Sequence, residues 1–251
     1  MMELSKLDAT AQAELVHSGA VSSRELVDAA LQRIAELDPS LGAVVGLDAR
    51  RARAQAESPQ KGRFAGVPFL AKDLLAQPEL RCAFGSRLFA SFVPPEASPY
   101  ARAIDATGLI TLGKTKSSEF GLLGSTETLL DGPTRNPWDL ARSAGGSSGG
   151  AAAAVAAGLV PMAHASDGGG SIRLPAALCG LFGFMPSRGR CRPVLPPSDL
   201  PDLTIEHCVS RSVRDSAGLL ADTERPDCEH GAVGFVEPAS LGPVRVGWST
   251  T

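Results

Sequence analysis

Two segments rich in glycine and serine carry the side chains best suited to chemistry. Residues 145–150 read Gly-Gly-Ser-Ser-Gly-Gly, and residues 166–171 read Ser-Asp-Gly-Gly-Gly-Ser. Consecutive glycines let backbone N–H groups point into a cavity. Several such groups beside a serine can stabilise a developing negative oxygen, as an oxyanion hole does. We therefore predict that Ser171 is a nucleophile for acyl transfer.

A serine nucleophile needs a base, and Lys72 is the candidate. It ends an apolar run over residues 67–71, where desolvation favours the neutral amine that can accept a proton. The alternative is an ordinary ion pair with the adjacent Asp73. The four histidines have no distinguishing context; they are His17, His164, His207 and His230.

Three short motifs match known patterns but receive other interpretations. Residues 108–115 fit the P-loop pattern, yet their Leu-Ile-Thr-Leu centre favours a strand over a phosphate-binding loop. Residues 145–149 fit the nucleophile elbow, which requires a preceding strand, whereas the preceding segment is polar and contains proline. Residues 58–61 fit the S-x-x-K pattern, but they lie in a polar connecting segment, and we attribute the match to chance.

Hydrophobic periodicity predicts helices, then an α/β core. Ser22 and Glu25 form a capping box that begins a helix, and Pro39 is expected to end it. Further helices are predicted over residues 48–57, 99–106, 148–159 and 210–221, strands over 67–71 and 108–113, a long loop over 121–146 and a glycine-rich turn over 166–170. We expect a helical layer over about residues 1–60 and a catalytic core over about 62–222, within one domain spanning 1–251.

Composition limits the class of protein. The 251 residues are 43% apolar and 20% charged, with a net charge of −3, and only 5% are aromatic. Neither a basic excess nor stacking aromatics favour nucleic acid. The apolar stretch over 151–165 is short for a membrane span, no secretory signal is recognised, and five cysteines without close pairing indicate neither disulfides nor zinc. We expect a cytoplasmic protein that binds no membrane.

The motifs together resemble the amidase signature family. The likeness is strongest over residues 136–190, with GGSSGG followed by DGGGSIRLPA, and it extends from VPFLAKDLL through LGKTKSSEFGLLGSTET to SVRDSAGLLAD. Within that family, FAGVPFLAKDL and TRNPWDLARSAGGSSGG are most similar to hydrolases of aminohexanoate cyclic dimers. The resemblance implies an α/β fold with a mixed β-sheet covered by helices.

The resemblance also implies a Ser–cis-Ser–Lys triad that hydrolyses an amide to an acid and ammonia or an amine. Ser171 would form the acyl-enzyme, and Ser147 would relay protons between Ser171 and Lys72. The oxyanion hole would be lined by Gly168, Gly169 and Gly170 with the Ser171 amide. Ser148, Asp167 and Arg173 would hold the glycine loop, and Gly121 and Leu122 would border the substrate pocket. Neither a metal nor a cofactor is implied.

Two departures from the family pattern bear on activity. Met185 stands where the family commonly has lysine, and family members are about twice this length. The end of the chain, residues 244–251, reads as a strand, so we expect the fold to be incomplete at its C-terminus and the activity to be weak or lost. A missing C-terminal half, or a second copy of the chain, is the expected partner beside a small-molecule amide.

Two other functions remain open from the sequence. GKTKSSEFG and the serine clusters also fit a glutamine-hydrolysing amidotransferase component, which would release ammonia for a partner. The P-loop match leaves a nucleotide-binding module as a third reading.

Overall fold

Helices and buried strands alternate along the chain. The computed structural model describes residues 4–194, 203–229 and 231–236. The α-helices are α1 (Ala9–His17), α2 (Ser23–Leu41), α3 (Ala49–Glu57), α4 (Pro99–Ala106), α5 (Gly149–Ala156), α6 (Arg173–Cys179) and α7 (Val213–Thr223). The strands are β1 (Val44–Leu47), β2 (Pro68–Lys72), β3 (Ile110–Thr115), β4 (Glu127–Thr128), β5 (Gly132–Pro133), β6 (Arg135–Asn136), β7 (Asp139–Ser143), β8 (Met162–Asp167), β9 (Phe182–Gly183) and β10 (Ile205–Ser210).

Six of these strands form one mixed sheet in the order β1-β3-β2-β8-β10-β9. The central pairs, β3 with β2 and β2 with β8, are parallel, whereas the outer pairs are antiparallel. Parallel neighbours end at the same edge of a sheet. The last residues of β2 and β8, Lys72 and Asp167, therefore lie at that common edge.

Helices cover both faces of the sheet. Because successive side chains of a strand point to opposite faces, the hydrophobic core consists of two clusters, one on each face. Leu70 of β2 packs in a cluster with residues of α2, α3 and α5. Its neighbours Phe69 and Ala71 pack in a second cluster with residues of α1, α4 and α7. Strands buried on both faces read as continuous apolar runs, and this is why residues 67–71 were recognisable.

Helix α2 begins as predicted and ends later than predicted. The Ser22 hydroxyl accepts the Glu25 N–H, and the Glu25 carboxylate accepts the Ser22 N–H, so the capping box is present. The expectation that Pro39 ends the helix is wrong, because Pro39 lies in its last turn. The end comes at Gly42, which adopts the left-handed conformation, while the Asp38 carboxylate accepts the Ala43 N–H at 2.7 Å.

Several elements differ from the sequence expectations. The layer over residues 1–60 also contains strand β1, and the predicted loop over 121–146 contains two short antiparallel pairs, β4 with β5 and β6 with β7. Strands β8 and β10 and helix α6 were not predicted. Residues 244–251 and His230 lie outside the described residues. No helix in the described part of the chain is long and apolar enough to cross a bilayer.

Candidate active site

Lys72 is fully buried at the end of β2, and its amine contacts two serines. Its Nζ atom lies 2.7 Å from Ser147 Oγ and 3.0 Å from Ser166 Oγ. The alternative of an ion pair with Asp73 does not hold, because the Asp73 carboxylate accepts the N–H groups of Ala83 and Gly85 at 2.9 and 3.3 Å. The amine is therefore directed at hydroxyl groups.

The surroundings of Lys72 set its protonation near neutral pH. Burial lowers the pKa of the amine from 10.5 to about 7, although the negative charges of Glu206 and Asp167 act in the opposite direction. A base with a pKa near 7 exists substantially as the neutral amine in neutral solution. This agrees with the desolvation predicted from the apolar run before Lys72.

Ser147 lies on the loop between β7 and α5, and its backbone is held on both sides. The peptide bond between Gly146 and Ser147 is cis. The carbonyl of Ser147 accepts the Ser118 N–H at 3.1 Å, and the carbonyl of Gly145 accepts the Thr126 hydroxyl at 2.9 Å. These contacts fix the Ser147 hydroxyl against Lys72, and the side chain is 2% exposed.

Ser171 lies just before α6 and lines the same cavity as Ser147. The cavity has a volume of about 580 Å³. The predicted site residues on its wall are Gly121, Leu122, Ser147, Gly168, Gly169, Gly170 and Ser171. A cavity of about 620 Å³ between α1 and residues 56–65 includes none of the predicted site residues in its lining. The predicted nucleophile, the predicted relay serine and the glycine loop therefore all line the cavity of about 580 Å³.

The glycine loop is held by the buried Asp167 carboxylate. Its oxygens accept the Gly170 N–H at 2.6 Å and the Ile172 N–H at 3.1 Å, and they form a two-point contact with the Arg173 guanidinium at 2.9 and 3.0 Å. Burial raises the pKa of this carboxyl, but the hydrogen bonds from Arg173 and the loop amides outweigh it and bring the pKa to about 2. Asp167 is therefore ionised and organises the loop that precedes α6.

This arrangement changes the expectation for Gly170. Its N–H is bonded to Asp167, so it holds the loop and does not point freely into the cavity. Space is open around both Gly169 and Gly170, where an added Cβ would meet nothing within 4 Å, so it is the hydrogen bond to Asp167 that sets Gly170 apart. The predicted set of oxyanion donors is thereby narrowed to the amides of Gly168, Gly169 and Ser171.

The remaining predicted residues are placed as follows. The Ser148 hydroxyl is buried and bonds to the Ser166 carbonyl at 3.3 Å, which joins the start of α5 to the end of β8. Gly121 lies beside Ser147, since a Cβ added there would be 3.5 Å from Ser147 Oγ. Leu122 is 79% exposed at the cavity rim.

Sequence reasoning missed three polar residues around Lys72. Ser166 contacts the amine, His164 Nδ1 accepts the Lys72 N–H at 3.3 Å, and Glu206 lies 2.7 Å from His164 Nε2. His164 and Ser166 alternate with Ala163 and Ala165, so recognition of strand β8 would have placed them on one face. Glu206 has no comparable signal in the sequence.

The structure also decides between the competing motif interpretations. Residues 110–115 form the buried strand β3, and Lys114 donates to the Leu75 carbonyl and the Gln77 side chain, so this segment is not a phosphate-binding loop. The nucleophile elbow is not supported either, because Ser147 is bonded to a lysine and not to a histidine. Within residues 4–194, 203–229 and 231–236, no cluster of three or more His, Cys, Asp or Glu is arranged to hold a metal ion.

A mixed sheet that brings a buried lysine against a serine in GGSSGG, beside a second serine in DGGGS, defines a class of protein. The profile of the family described as Amidase matches residues 25–231, and the chain belongs to this amidase signature family. Its fold is the amidase signature fold.

Individual members of the family are similar to the chain over most of its length. The chain is 42% identical over 219 residues to the 6-aminohexanoate-cyclic-dimer hydrolase of Paenarthrobacter ureafaciens, a match that covers 85% of this chain and 44% of that protein. It is 45% identical over 214 residues to a subunit of the glutamyl-tRNA(Gln) amidotransferase of Thermus thermophilus, covering 84% of this chain and 45% of that one. A solved structure of 6-aminohexanoate cyclic dimer hydrolase with its substrate is similar with a TM-score of 0.82 and 36% identity, over 95% of this chain and 50% of that chain. The chain spans about half the length of the relatives it matches.

Proposed function

We propose that the chain carries the catalytic half of an amidase that cleaves a carboxylic amide through an acyl-enzyme on Ser171. The observation that carries this proposal is the buried contact between Lys72 Nζ and Ser147 Oγ at 2.7 Å, in a cavity that also exposes Ser171. A lysine with a pKa of about 7 can take a proton at neutral pH and later return it.

The proposed reaction has two covalent steps. The Ser171 oxygen attacks the amide carbonyl carbon, its proton passes to Ser147, and the Ser147 proton passes to neutral Lys72. Collapse of the tetrahedral intermediate breaks the C–N bond, and the proton returns through Ser147 to the departing ammonia or amine. Water then attacks the Ser171 ester by the same relay and releases the acid.

The negative oxygen of each intermediate needs donors. In the proposed site, these are the amides of Gly168, Gly169 and Ser171, held in place by the contacts of Asp167 with Gly170 and Arg173. The role of Asp167 and Arg173 is to keep the loop rigid. Ser148 helps to hold Ser166, which contacts Lys72, through the hydrogen bond from its hydroxyl to the Ser166 carbonyl.

The lining of the substrate pocket is mixed. Five leucines, Leu122 among them, and Phe120 contribute apolar surface beside Gly121, and Arg188 contributes a charged side chain. The named activity of the Paenarthrobacter relative makes a linear or cyclic amide of an aminoalkanoic acid the first substrate to test. Because the chain spans about half of its relatives, we also propose that a further half, or a second copy of the chain, completes the pocket.

A second function is favoured by one comparison. The amidotransferase component from Thermus is 45% identical to this chain, the highest identity among the relatives compared above. In that case the chain would hydrolyse glutamine and pass ammonia to a partner. Glutaminase activity that appears only with a copurified partner protein would favour this function. The cytoplasmic location expected from the sequence stays a prediction.

A covalent probe gives the sharpest test. A fluorophosphonate, which reacts with activated serines, is incubated with the chain, and the labelled residue is located by peptide mass spectrometry. We expect one label, on Ser171, and none in Ser171→Ala. Hydrolysis of linear and cyclic amides is followed in parallel through the released amine.

The control is Ser40→Ala, which removes an exposed serine of α2 outside the cavity lining. It should label at the rate of the unaltered chain. Labelling of Ser147 in place of Ser171, or amide turnover that persists in Ser171→Ala, would overturn the assignment of the nucleophile. Absence of any label on a folded chain would overturn the proposal that Ser171 in this half is an activated nucleophile.

A further inference from the structure

A buried pair of polar side chains is linked to Lys72 through the neighbouring strand β8. His164 of β8 is 0% exposed and Glu206 of β10 is 5% exposed. His164 Nε2 lies 2.7 Å from Glu206 Oε2, and His164 Nδ1 accepts the backbone N–H of Lys72 at 3.3 Å. The pair therefore links the carboxylate of β10 to the backbone of the lysine in β2.

The strand pairing explains why the backbone of Lys72 needs this partner. The N–H of Asp73 donates to the Thr115 carbonyl on β3, so the Lys72 N–H, one residue earlier, faces β8. The β2–β8 ladder is short, with Leu70 opposite Ala163 as its register pair. Beyond that point the His164 ring takes the place of a strand carbonyl and accepts the Lys72 N–H.

The hydrogen bonds also fix the proton on the imidazole. Because Nδ1 accepts from Lys72, the ring proton must lie on Nε2, and Nε2–H donates to Glu206. Burial lowers the pKa of His164, against the opposing effect of Glu206, so the ring is neutral near pH 7. A neutral ring leaves the negative charge of Glu206 uncompensated.

The charged groups near Lys72 come from β3 and β8, which flank β2, and from β10 on the far side of β8. Strand β3 contributes Lys114, whose amine is directed at Leu75 and Gln77. Strand β8 contributes Asp167, which forms an ion pair with Arg173, and β10 contributes Glu206. Among the described residues, neither lysine nor arginine forms an ion pair with Glu206. Asp73, next in the chain, is bonded to the loop amides of Ala83 and Gly85.

We propose that Glu206, acting through His164, is a positioning residue for Lys72. It holds the backbone of Lys72 in place, and its buried negative charge keeps this amine a strong enough base to accept the proton of Ser147. This rests on the proposed function, in which Lys72 is the base. A lysine buried among apolar groups alone would lose basicity. Its pKa of about 7 already includes an upward contribution from Glu206.

The test measures Lys72 directly and does not require activity. The chain has five lysines, namely Lys6, Lys61, Lys72, Lys114 and Lys116. Lysine labelled with ¹³C at Cε gives one NMR signal for each, and the signals of the three buried lysines are assigned with Lys72→Met, Lys114→Met and Lys116→Met. Glu206→Gln keeps an acceptor for His164 and removes the charge. We expect it to lower the pKa measured for Lys72 by roughly 0.5 or more.

Three variants keep the test decisive. Glu206→Asp restores the charge and should return the Lys72 pKa most of the way to its original value. Asp215→Asn removes a different buried carboxylate, which accepts the N–H groups of Ala9 and Thr10, and should leave the Lys72 pKa unchanged. If Glu206→Gln does not fold, the double variant His164→Gln with Glu206→Gln supplies a neutral pair that can hydrogen-bond, and it should show the same lowered pKa.

An unchanged Lys72 pKa in a folded Glu206→Gln chain, or an equal change in Asp215→Asn, would overturn this proposal. The rate of Ser171 labelling against pH provides a second readout. Its ascending limb should move to lower pH in Glu206→Gln, and its plateau should fall, because a weaker base accepts the proton less readily. If the NMR result holds while Ser171 is never labelled, the proposed function fails and the coupling of Glu206 to Lys72 stands.

Discussion

The amine of Lys72 and the hydroxyl of Ser147 meet at 2.7 Å with both side chains excluded from solvent, at 0% and 2% exposure. Residues far apart in the chain, one at the end of strand β2 and one on the loop before α5, create this contact. Because both residues are buried, the surrounding protein sets the protonation of Lys72. The following predictions depend on this contact and on the loops that hold it.

The first prediction concerns pH. The proposed base must be neutral, and the pKa of Lys72 is about 7, so labelling of Ser171 should rise through neutral pH and level off above about pH 8. Lys72→Met should lower the labelling rate by about 10²-fold or more and remove this limb. Labelling rates measured at constant ionic strength from about pH 5.5 to about pH 9, a range that brackets the transition, check it.

Lys114→Met is the matched control for this profile. Lys114 is another fully buried lysine, burial lowers its pKa to about 8, and its amine contacts Leu75 and Gln77, not the proposed catalytic serines. Its loss should leave the limb near pH 7. A limb that survives in Lys72→Met and vanishes in Lys114→Met would show that the wrong lysine has been named as base.

The second prediction separates the two adjacent serines of the GGSSGG segment. Ser147→Ala removes the proton relay and should reduce Ser171 labelling by about 10²-fold or more, and the loss of its buried contact with Lys72 should cost about 1 kcal/mol of unfolding free energy. Ser148→Ala removes a buried hydroxyl bonded to the Ser166 carbonyl and should cost about 1 kcal/mol of unfolding free energy with a smaller loss of labelling. Urea unfolding and labelling kinetics of both variants measure the difference. Equal labelling by the two variants would contradict the relay.

The third prediction concerns the loop before α6. Asp167→Asn removes a buried carboxylate that accepts from Gly170, Ile172 and Arg173, and it should cost about 1–3 kcal/mol at pH 7. The folded pKa is about 2 and the ordinary value is 3.8. The contribution of the charge is therefore complete above about pH 4 and is lost as pH falls toward 2.

Unfolding of the Asp167→Asn chain at pH 7 and pH 3 checks this window. The difference in stability from the unaltered chain should be smaller at pH 3. Asp139→Asn, at an exposed ion pair with Arg142, is the control and should change stability by less than about 0.5 kcal/mol at either pH. A difference that grows on acidification would be the wrong sign.

The fourth prediction concerns Gly150, the last glycine of the GGSSGG segment. A Cβ at this position would lie 2.5 Å from the Lys116 backbone nitrogen and 2.6 Å from the Ala43 carbonyl oxygen. Gly150→Ala must therefore displace backbone, and it should destabilise the chain by about 1–3 kcal/mol. Gly46→Ala, where an added Cβ meets nothing within 4 Å, should have a much smaller effect in the same urea titration.

These residues show how far the sequence could predict the site. Lys72 was identifiable because it ends an apolar run, and the desolvation inferred from that run matches its lowered pKa. Ser147 and Ser171 were identifiable from their glycine-rich surroundings. The physical reason for Gly150 was not foreseen: this glycine permits close packing of α5 against the backbone of Ala43 and Lys116.

The rest of the site depends on contacts that a single sequence does not encode locally. Strand β8 follows the alanine-rich helix α5 and itself contains alanines. The change from a helical to a strand period was therefore not visible in the sequence. Without that strand, His164 had no predicted neighbours. Glu206 reaches His164 through the pairing of β10 with β8, in which Cys208 lies opposite His164. The pairing is set by the register of strands distant in sequence, and neither propensity nor spacing reveals it.

Ser166 contacts the amine of Lys72 and also orients its lone pair. A neutral amine has two hydrogens and one lone pair. The Ser166 carbonyl oxygen lies 3.5 Å from Nζ and can only accept, and Ser166 Oγ, at 3.0 Å, can take the other hydrogen. The lone pair is then left for the Ser147 hydroxyl at 2.7 Å. In the proposed relay, the amine is thus oriented to exchange a proton with Ser147 alone, without rotating about its terminal bond.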